Sequence, residues 1–245
     1  MYFEVDPNDP SKFVYLPEEQ MESLYWEKAD DYPNDLAELY LGFHDFTRIE
    51  FLVFRDRLSA AIFLWRSANS AADRALESLG HRKRTADRAA PPPNDPAWNL
   101  WYQVDHENDL DENIYTVEQA RTIACGAAAM TAVAALEAFI DDLAPPNSSR
   151  RGGLHIKMSR LLNRIAPPPD IRSDIEAEVT KVRDRRNDYA HALTGSPWPR
   201  PTTPNRPARP HTVFDAETLE DTLYTVGEIA VWLEGQLLNT ETNPD

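Results

Sequence analysis

YTVEQARTIACGAAAMTAVAALEAFIDDLAPP, Tyr115 to Pro146, carries no charge between Arg121 and Glu137, and its reading decides the fold. Alanine is the strongest helix former, so the run predicts a helix. It is Ala-rich rather than Leu-rich and has Glu137 inside it, which points to a packed core helix rather than a membrane span. Thr116 followed by Gln119 reads as a capping box opening the helix near 117. Pro145 and Pro146 close it at about 143.

Downstream, the same punctuation recurs. Gly153 to Ile165 gives a short basic helix ended by Pro167–Pro169, after which Asp170 is placed to cap a helix reaching about Leu193. Gly195 and Pro197 stop that one. The segment PWPRPTTPNRPARP, 197–210, is too proline-rich for a helix and reads as an extended, Arg-bearing loop. Asp215 then caps a last helix with Leu219, Leu223, Val226, Ala230 and Leu233 on one stripe, fraying after Asn239.

Upstream, LAELYLGFHDFTRIEFLVFRDRLSAAIFLW, from Leu36, spaces its apolar residues as one long amphipathic helix that stops near Gly80. Residues 81–112 mix charge, three consecutive prolines and isolated Trp, and read as an excursion without regular structure. The expectation is an all-α protein: a helical extension over 1–112, four helices (long, short, long, long) over 113–240, and a flexible tail at 241–245.

Composition narrows the setting. Cys125 is the single cysteine of 245 residues, so no intrachain disulfide forms and a reducing cytoplasm is expected. Inside an apolar run, Cys125 reads as a small core filler. The opening MYFEVDPNDP has no basic, apolar leader, and no membrane partner is expected. Net charge is −16, yet residues 145–212 carry 13 Lys and Arg against 6 Asp and Glu, while the remainder holds 12 against 35. Fields between exposed charges act over about 8 Å at physiological salt, so an acidic body with one basic face can still bind a phosphate backbone.

The basic segment includes KVRDRRNDYAHALTGSPW, Lys181 to Trp198. On a helix Asn187 and His191 are four apart and share a face, with Arg186 about 100° round from Asn187. Imidazole exchanges a proton near neutral pH, guanidinium grips phosphate oxygens, and Asn orients either group. His191 near the helix C-terminus is placed where the dipole favours imidazolium. With no cluster of carboxylates, His or Cys beside these residues, neither a metal nor another cofactor is expected in the chemistry.

Here the chain resembles the HEPN superfamily, whose all-helical domains carry an Arg and a His four to six residues apart with a polar residue, often Asn, after the Arg. RNDYAH, Arg186 to His191, matches the R-N-x-x-x-H form on the third helix of a four-helix unit. ALEAFIDDL, Ala135 to Leu143, is similar to the preceding long helix of the family. The resemblance covers about 113–240 and implies a HEPN-like four-helix bundle that dimerises so that two motifs form one composite site. It implies a metal-independent endoribonuclease acting as a toxin or anti-phage defence effector, with RNA as substrate and an antitoxin or defence-system protein as partner. Arg186 would bind the scissile phosphate, His191 transfer protons, Asn187 position both, and Glu137 orient Arg186 from the neighbouring helix. One HEPN subgroup has Tyr two residues after the His; Leu193 stands there, so nucleotide attachment at that position is not implied.

Arg150, Arg151, Arg160 and Arg164, with His155, are candidates for an RNA phosphate track, against the plainer reading of a solvated basic helix. The acidic run Asp105 to Asn113 lacks the turn glycine of a calcium loop. Trp98, Trp101 and Tyr102 read as packing residues rather than base-stacking ones. Two function classes stand: the HEPN-type endoribonuclease, and a non-catalytic HEPN-fold module that binds a nucleotide or a protein.

Overall fold

The computed structural model describes residues 3–6, 9–15, 36–42, 44, 46–86, 96–145, 151–194 and 215–242, with side chains over 36–42, 44, 46–85, 108–145, 151–190 and 215–238. Five helices dominate: α1 (Ile49–Ala86), α2 (Pro96–Asp142), α3 (Leu154–Ile165), α4 (Pro169–Thr194) and α5 (Ala216–Thr242). The fold is all-α, and the order of α2 to α5 is long, short, long, long. One local exception precedes them. Phe3–Asp6 (β1) and Asp9–Tyr15 (β2) pair antiparallel as a hairpin, with Phe3 opposite Tyr15.

The alanine-rich run behaves as its composition dictates. Cys125, Ala128, Ala129, Ala132, Leu136, Phe139 and Ile140 line the buried face of α2, and small side chains there let α1, α4 and α5 approach closely. Residues 108–142 are long and apolar enough to cross a membrane, but 56% of the apolar window is buried inside the protein. Burial also pushes the Cys125 thiol above its ordinary 9.0, in keeping with a core filler.

Several expected boundaries are corrected. The helix expected from Leu36 is broken: Glu38–Leu41 forms a 3-10 turn, and Gly42, at φ 59°, closes it with its N–H on the Glu38 carbonyl. The helix restarts at Ile49 and runs through Gly80 to Ala86. Residues 96–112 are not an excursion but the first turns of α2, so the expected boundary at 112/113 falls inside one helix. Proline is at home at the first helical position, where its missing N–H has no partner to lose. Antiparallel contact with α1 supplies the rest: Leu110 is buried, Lys83 Nζ lies 2.6 Å from Asp111, and Arg121 bonds Asp73. Thr116 caps nothing; mid-helix, its hydroxyl donates to the Glu112 carbonyl at 2.8 Å. Asp170 sits within the first turn of α4, which opens at Pro169. At α5 the expectation holds, because Asp215 Oδ1 accepts the Thr218 N–H at 2.9 Å. The segment 197–210 lies outside the described residues, and α5 continues past Asn239 to Thr242.

One core joins the upstream and downstream halves. Phe51 of α1 packs edge-on to Phe139 of α2 at 4.3 Å, and Phe54 approaches the same ring at 5.2 Å. The 3-10 turn docks on α5, burying Leu36, Tyr40 and Leu41, with Ala37 N–H donating to Ser59 Oγ at 3.1 Å. Just beyond it, the fully buried Glu234 of α5 receives the Thr47 N–H at 3.0 Å and the His44 ring at 2.7 Å. A carboxylate at the start of α1 also complements that helix's positive end.

Candidate functional site

The inward stripe of α4 is Val179, Val182, Arg186 and Tyr189, spaced three, four and three apart, which keeps them on one helical face. The two valines and Tyr189 are buried, and they carry Arg186 into the seam between α4 and α2. Two contacts fix the register. Tyr189 donates its hydroxyl to the Ile123 carbonyl at 2.7 Å, and its ring fills the space above Gly126, where a Cβ would stand 1.8 Å from Cε2. One turn earlier on α4 and three turns later on α2, Arg186 Nη1 donates to Glu137 Oε2 at 2.8 Å.

Glu137 does not serve Arg186 alone. Its other oxygen accepts from Lys157 Nζ of α3 at 2.9 Å, and the same ammonium bonds Asp141 at 2.6 Å. Glu137 and Asp141 are four apart on α2, so both carboxylates present to the same neighbour. The result is a four-membered chain, Asp141–Lys157–Glu137–Arg186, tying α2, α3 and α4 together with no net charge. Lys157, within the chain, is 11% exposed and the two ends more so, Asp141 22% and Arg186 28%, so the guanidinium is the most open of the four. With five N–H donors and one on Glu137, Arg186 keeps donors for a ligand.

Burial alone would raise the Glu137 pKa, but the hydrogen bonds and charges of Lys157 and Arg186 outweigh it and hold the carboxyl below its ordinary 4.5. Lys157 is likewise held above 10.5: burial would lower it, and the two carboxylates more than reverse that. Because the folded-state pKa of Glu137 is depressed, its stabilisation is complete above pH 4.5 and fades as pH falls through the lower folded value. Thermal melts on either side of pH 4.5 should therefore show a steeper acid loss for the wild type than for Glu137→Gln, which lacks the titrating group. Equal slopes would mean that the contact contributes nothing to folding.

Asn187 is half-buried beside Arg186, and α4 remains helical through His191, whose side chain lies outside those described. The other cations of the stretch already pair with carboxylates, two of them on a neighbouring helix. Lys181 and Arg185 both reach Asp221 of α5, at 3.0 and 2.5 Å, and Arg183 pairs with Asp184 at 2.8 Å. Among the expected RNA-track residues, Arg150 is outside the described residues and Arg151 is exposed. Arg160 and Arg164 brace the connection between α2 and α3, donating to the Arg151 carbonyl at 2.7 Å and the Leu143 carbonyl at 3.0 Å. His155 is half-buried on α3. Lys157 and Asp141 were not singled out by sequence reasoning. The signal available for them was the pair of carboxylates four apart, which demands a cation from another helix. No protein-family model, curated protein or solved structure matches this chain.

Proposed function

We propose that the chain is a metal-independent endoribonuclease of HEPN type, a toxin or defence effector of the cytoplasm that acts as a homodimer. The observation that carries this reading is the 2.8 Å contact between Arg186 and Glu137. It holds a guanidinium at the solvent edge of the α2–α4 seam, one residue from Asn187 and five from His191.

In the proposed reaction one His191 removes the proton of a ribose 2′-hydroxyl, and the oxygen attacks the adjacent phosphorus. The P–O5′ bond breaks, the leaving oxygen takes a proton from the His191 of the second protomer, and a 2′,3′-cyclic phosphate remains. Arg186 stabilises charge on the phosphorane-like transition state, where a preoriented donor acts most strongly. Glu137 keeps Arg186 in place, and Asn187 orients the reacting groups. A symmetric pair supplies the acid and the base that one His cannot supply together. Cleavage is expected to persist in EDTA, leave cyclic phosphate ends, and fail on DNA and on RNA methylated at the 2′ oxygen. Loss of cleavage in EDTA would remove the metal-free mechanism.

The second reading, a non-catalytic HEPN-fold module, draws on the ion pairs of Lys181 and Arg185 with Asp221 of α5, which give part of the basic stretch a structural purpose. Growth on expression separates the two: arrest that disappears with His191→Ala supports the nuclease, and growth unaffected by the wild type supports the binding module.

A further inference from the structure

Among the described residues Arg186 bonds the protein through one nitrogen, Nη1, to one oxygen, Glu137 Oε2, at 2.8 Å. That is half of the contact these groups are shaped to make. A guanidinium and a carboxylate pair most strongly as a fork, two parallel N–H groups on two oxygens. Glu137 does not offer its second oxygen, because Oε1 accepts from Lys157 Nζ at 2.9 Å. The arginine is therefore anchored by a single donor and keeps the others for a ligand.

The surroundings of Lys157 fix it in that place. Leu154, Met158, Leu161 and Leu162 bury one side of α3 in the core, which sets the height of Lys157 against α2. Asp141, one turn beyond Glu137 on α2, draws the same ammonium at 2.6 Å, so Nζ is held between two carboxylates. Asp141 also cancels the charge that Lys157 brings, and Oε1 is occupied without a net positive charge being added beside Arg186. Burial works against the charge on Lys157 and the two carboxylates more than reverse it, so the group is an ammonium at neutral pH. With the ammonium gone, Oε1 would lose its donor while Arg186 is already bonded to the neighbouring oxygen. The fork would then close, turning two N–H groups of Arg186 onto Glu137 and away from a phosphate.

We propose that Lys157 is a positioning residue: by occupying Glu137 Oε1 it keeps the Arg186 contact single and leaves the guanidinium open to phosphate oxygens, with Asp141 holding Lys157 in place. Its effect on cleavage rests on the nuclease reading, whereas the geometry of the Arg186–Glu137 pair can be measured without RNA.

Two consequences of losing Lys157 have to be separated. Lys157→Met keeps an unbranched stem and removes the ammonium, but it also leaves the site with an added negative charge, and that field alone repels RNA. Combining Lys157→Met with Asp141→Asn removes one charge of each sign, so the net charge of the wild type returns while Oε1 still lacks its donor. Removing both partners also avoids the unpaired carboxylate that makes a single removal destabilising, so the double variant carries the test even where Lys157→Met folds poorly.

Wild type and both variants are compared in two measurements on the full chain. NMR with labelled arginine, the Arg186 signal assigned by its loss in Arg186→Ala, follows rotation of the guanidinium in the absence of RNA. Rotation about tenfold or more slower is expected in both variants, because a fork restrains the plane at two points and a single contact at one. Cleavage of a defined RNA then separates kcat from KM. A fall in kcat of about tenfold or more is expected in both variants, with the KM of the double variant equal to that of the wild type, because what is withdrawn acts on transition-state charge. The proposal is overturned if Arg186 rotates alike in the wild type and the double variant. It is overturned equally if the double variant cleaves with the kcat of the wild type, which would leave Lys157 as a charge that balances Asp141 and ties α3 to α2. A wild type that cleaves no RNA removes the nuclease reading instead, and the rotation rates alone then decide whether Lys157 keeps the contact single.

Discussion

On the proposed nuclease reading, Arg186→Ala is expected to lower RNA cleavage by about 10³-fold or more, the loss that follows when an arginine that neutralises transition-state charge on phosphorus is removed. The fold survives the change. Glu137 keeps its contact with Lys157 at 2.9 Å, and an ion pair whose arginine side chain is 28% exposed contributes about 1 kcal/mol or less. On the same reading His191→Ala should remove activity to a similar degree, because without imidazole neither proposed proton transfer has a group that exchanges near neutral pH. Asn187→Ala should cost less, since its proposed part is to orient groups without carrying charge or proton. Arg186→Lys separates phosphate recognition from packing: an ammonium can still pair with Glu137, but it cannot offer the planar fork that fits two phosphate oxygens. It should restore the melting temperature without restoring cleavage. Single-turnover rates on a defined RNA, with melts of each variant, measure all four. Undiminished cleavage by Arg186→Ala would falsify the assignment of this helix end as the site.

The helices were legible where the chain gave both a period and a stop. Asp215 and the proline stop at 167–169 were read correctly because capping and chain termination are local events, decided by a few neighbouring atoms. Failures came where tertiary contact overrides local signals. Residues 96–112 look irregular in isolation, yet α1 alongside supplies Lys83 for Asp111 and an apolar surface that buries Leu110. The reverse holds at 36–42, whose helical spacing is real but whose residues serve a 3-10 turn pressed on α5. Likewise Arg186 and Glu137 could be paired in advance, because the resemblance supplied the helix order. Lys157 and Asp141 required knowing that α3 crosses beside α2 at that height.

Gly227→Ala should lower stability by about 3 kcal/mol or more, at the upper end for overpacking a fitted interface. A Cβ on Gly227 would stand 1.9 Å from the Tyr40 carbonyl oxygen and 2.9 Å from its carbon. Both are backbone atoms, so no rotamer change relieves the overlap. The 3-10 turn cannot yield alone, because Gly42 N–H closes it on Glu38 and Ala37 N–H ties it to Ser59 of α1. Relief requires the turn to lift from α5, exposing Tyr40 and Leu41 and parting the Tyr40 and Tyr224 rings, now 4.9 Å apart. Two turns further along α5, Glu234 would lose alignment with Thr47 and His44, leaving a buried carboxylate short of donors. Helix propensity works the other way, since alanine in a helix interior gains up to about 1 kcal/mol over glycine, and that gain is too small to offset the overlap. Gly235→Ala supplies the control on the same helix, because a Cβ there meets nothing within 4 Å. For a chain of this size each kcal/mol shifts the melting temperature by about 2–4 °C, so Gly227→Ala should melt some 6–12 °C below the wild type and Gly235→Ala slightly above it. Matching melting temperatures for the two variants would mean that the turn does not dock on α5, and that the N-terminal segment is not part of this core.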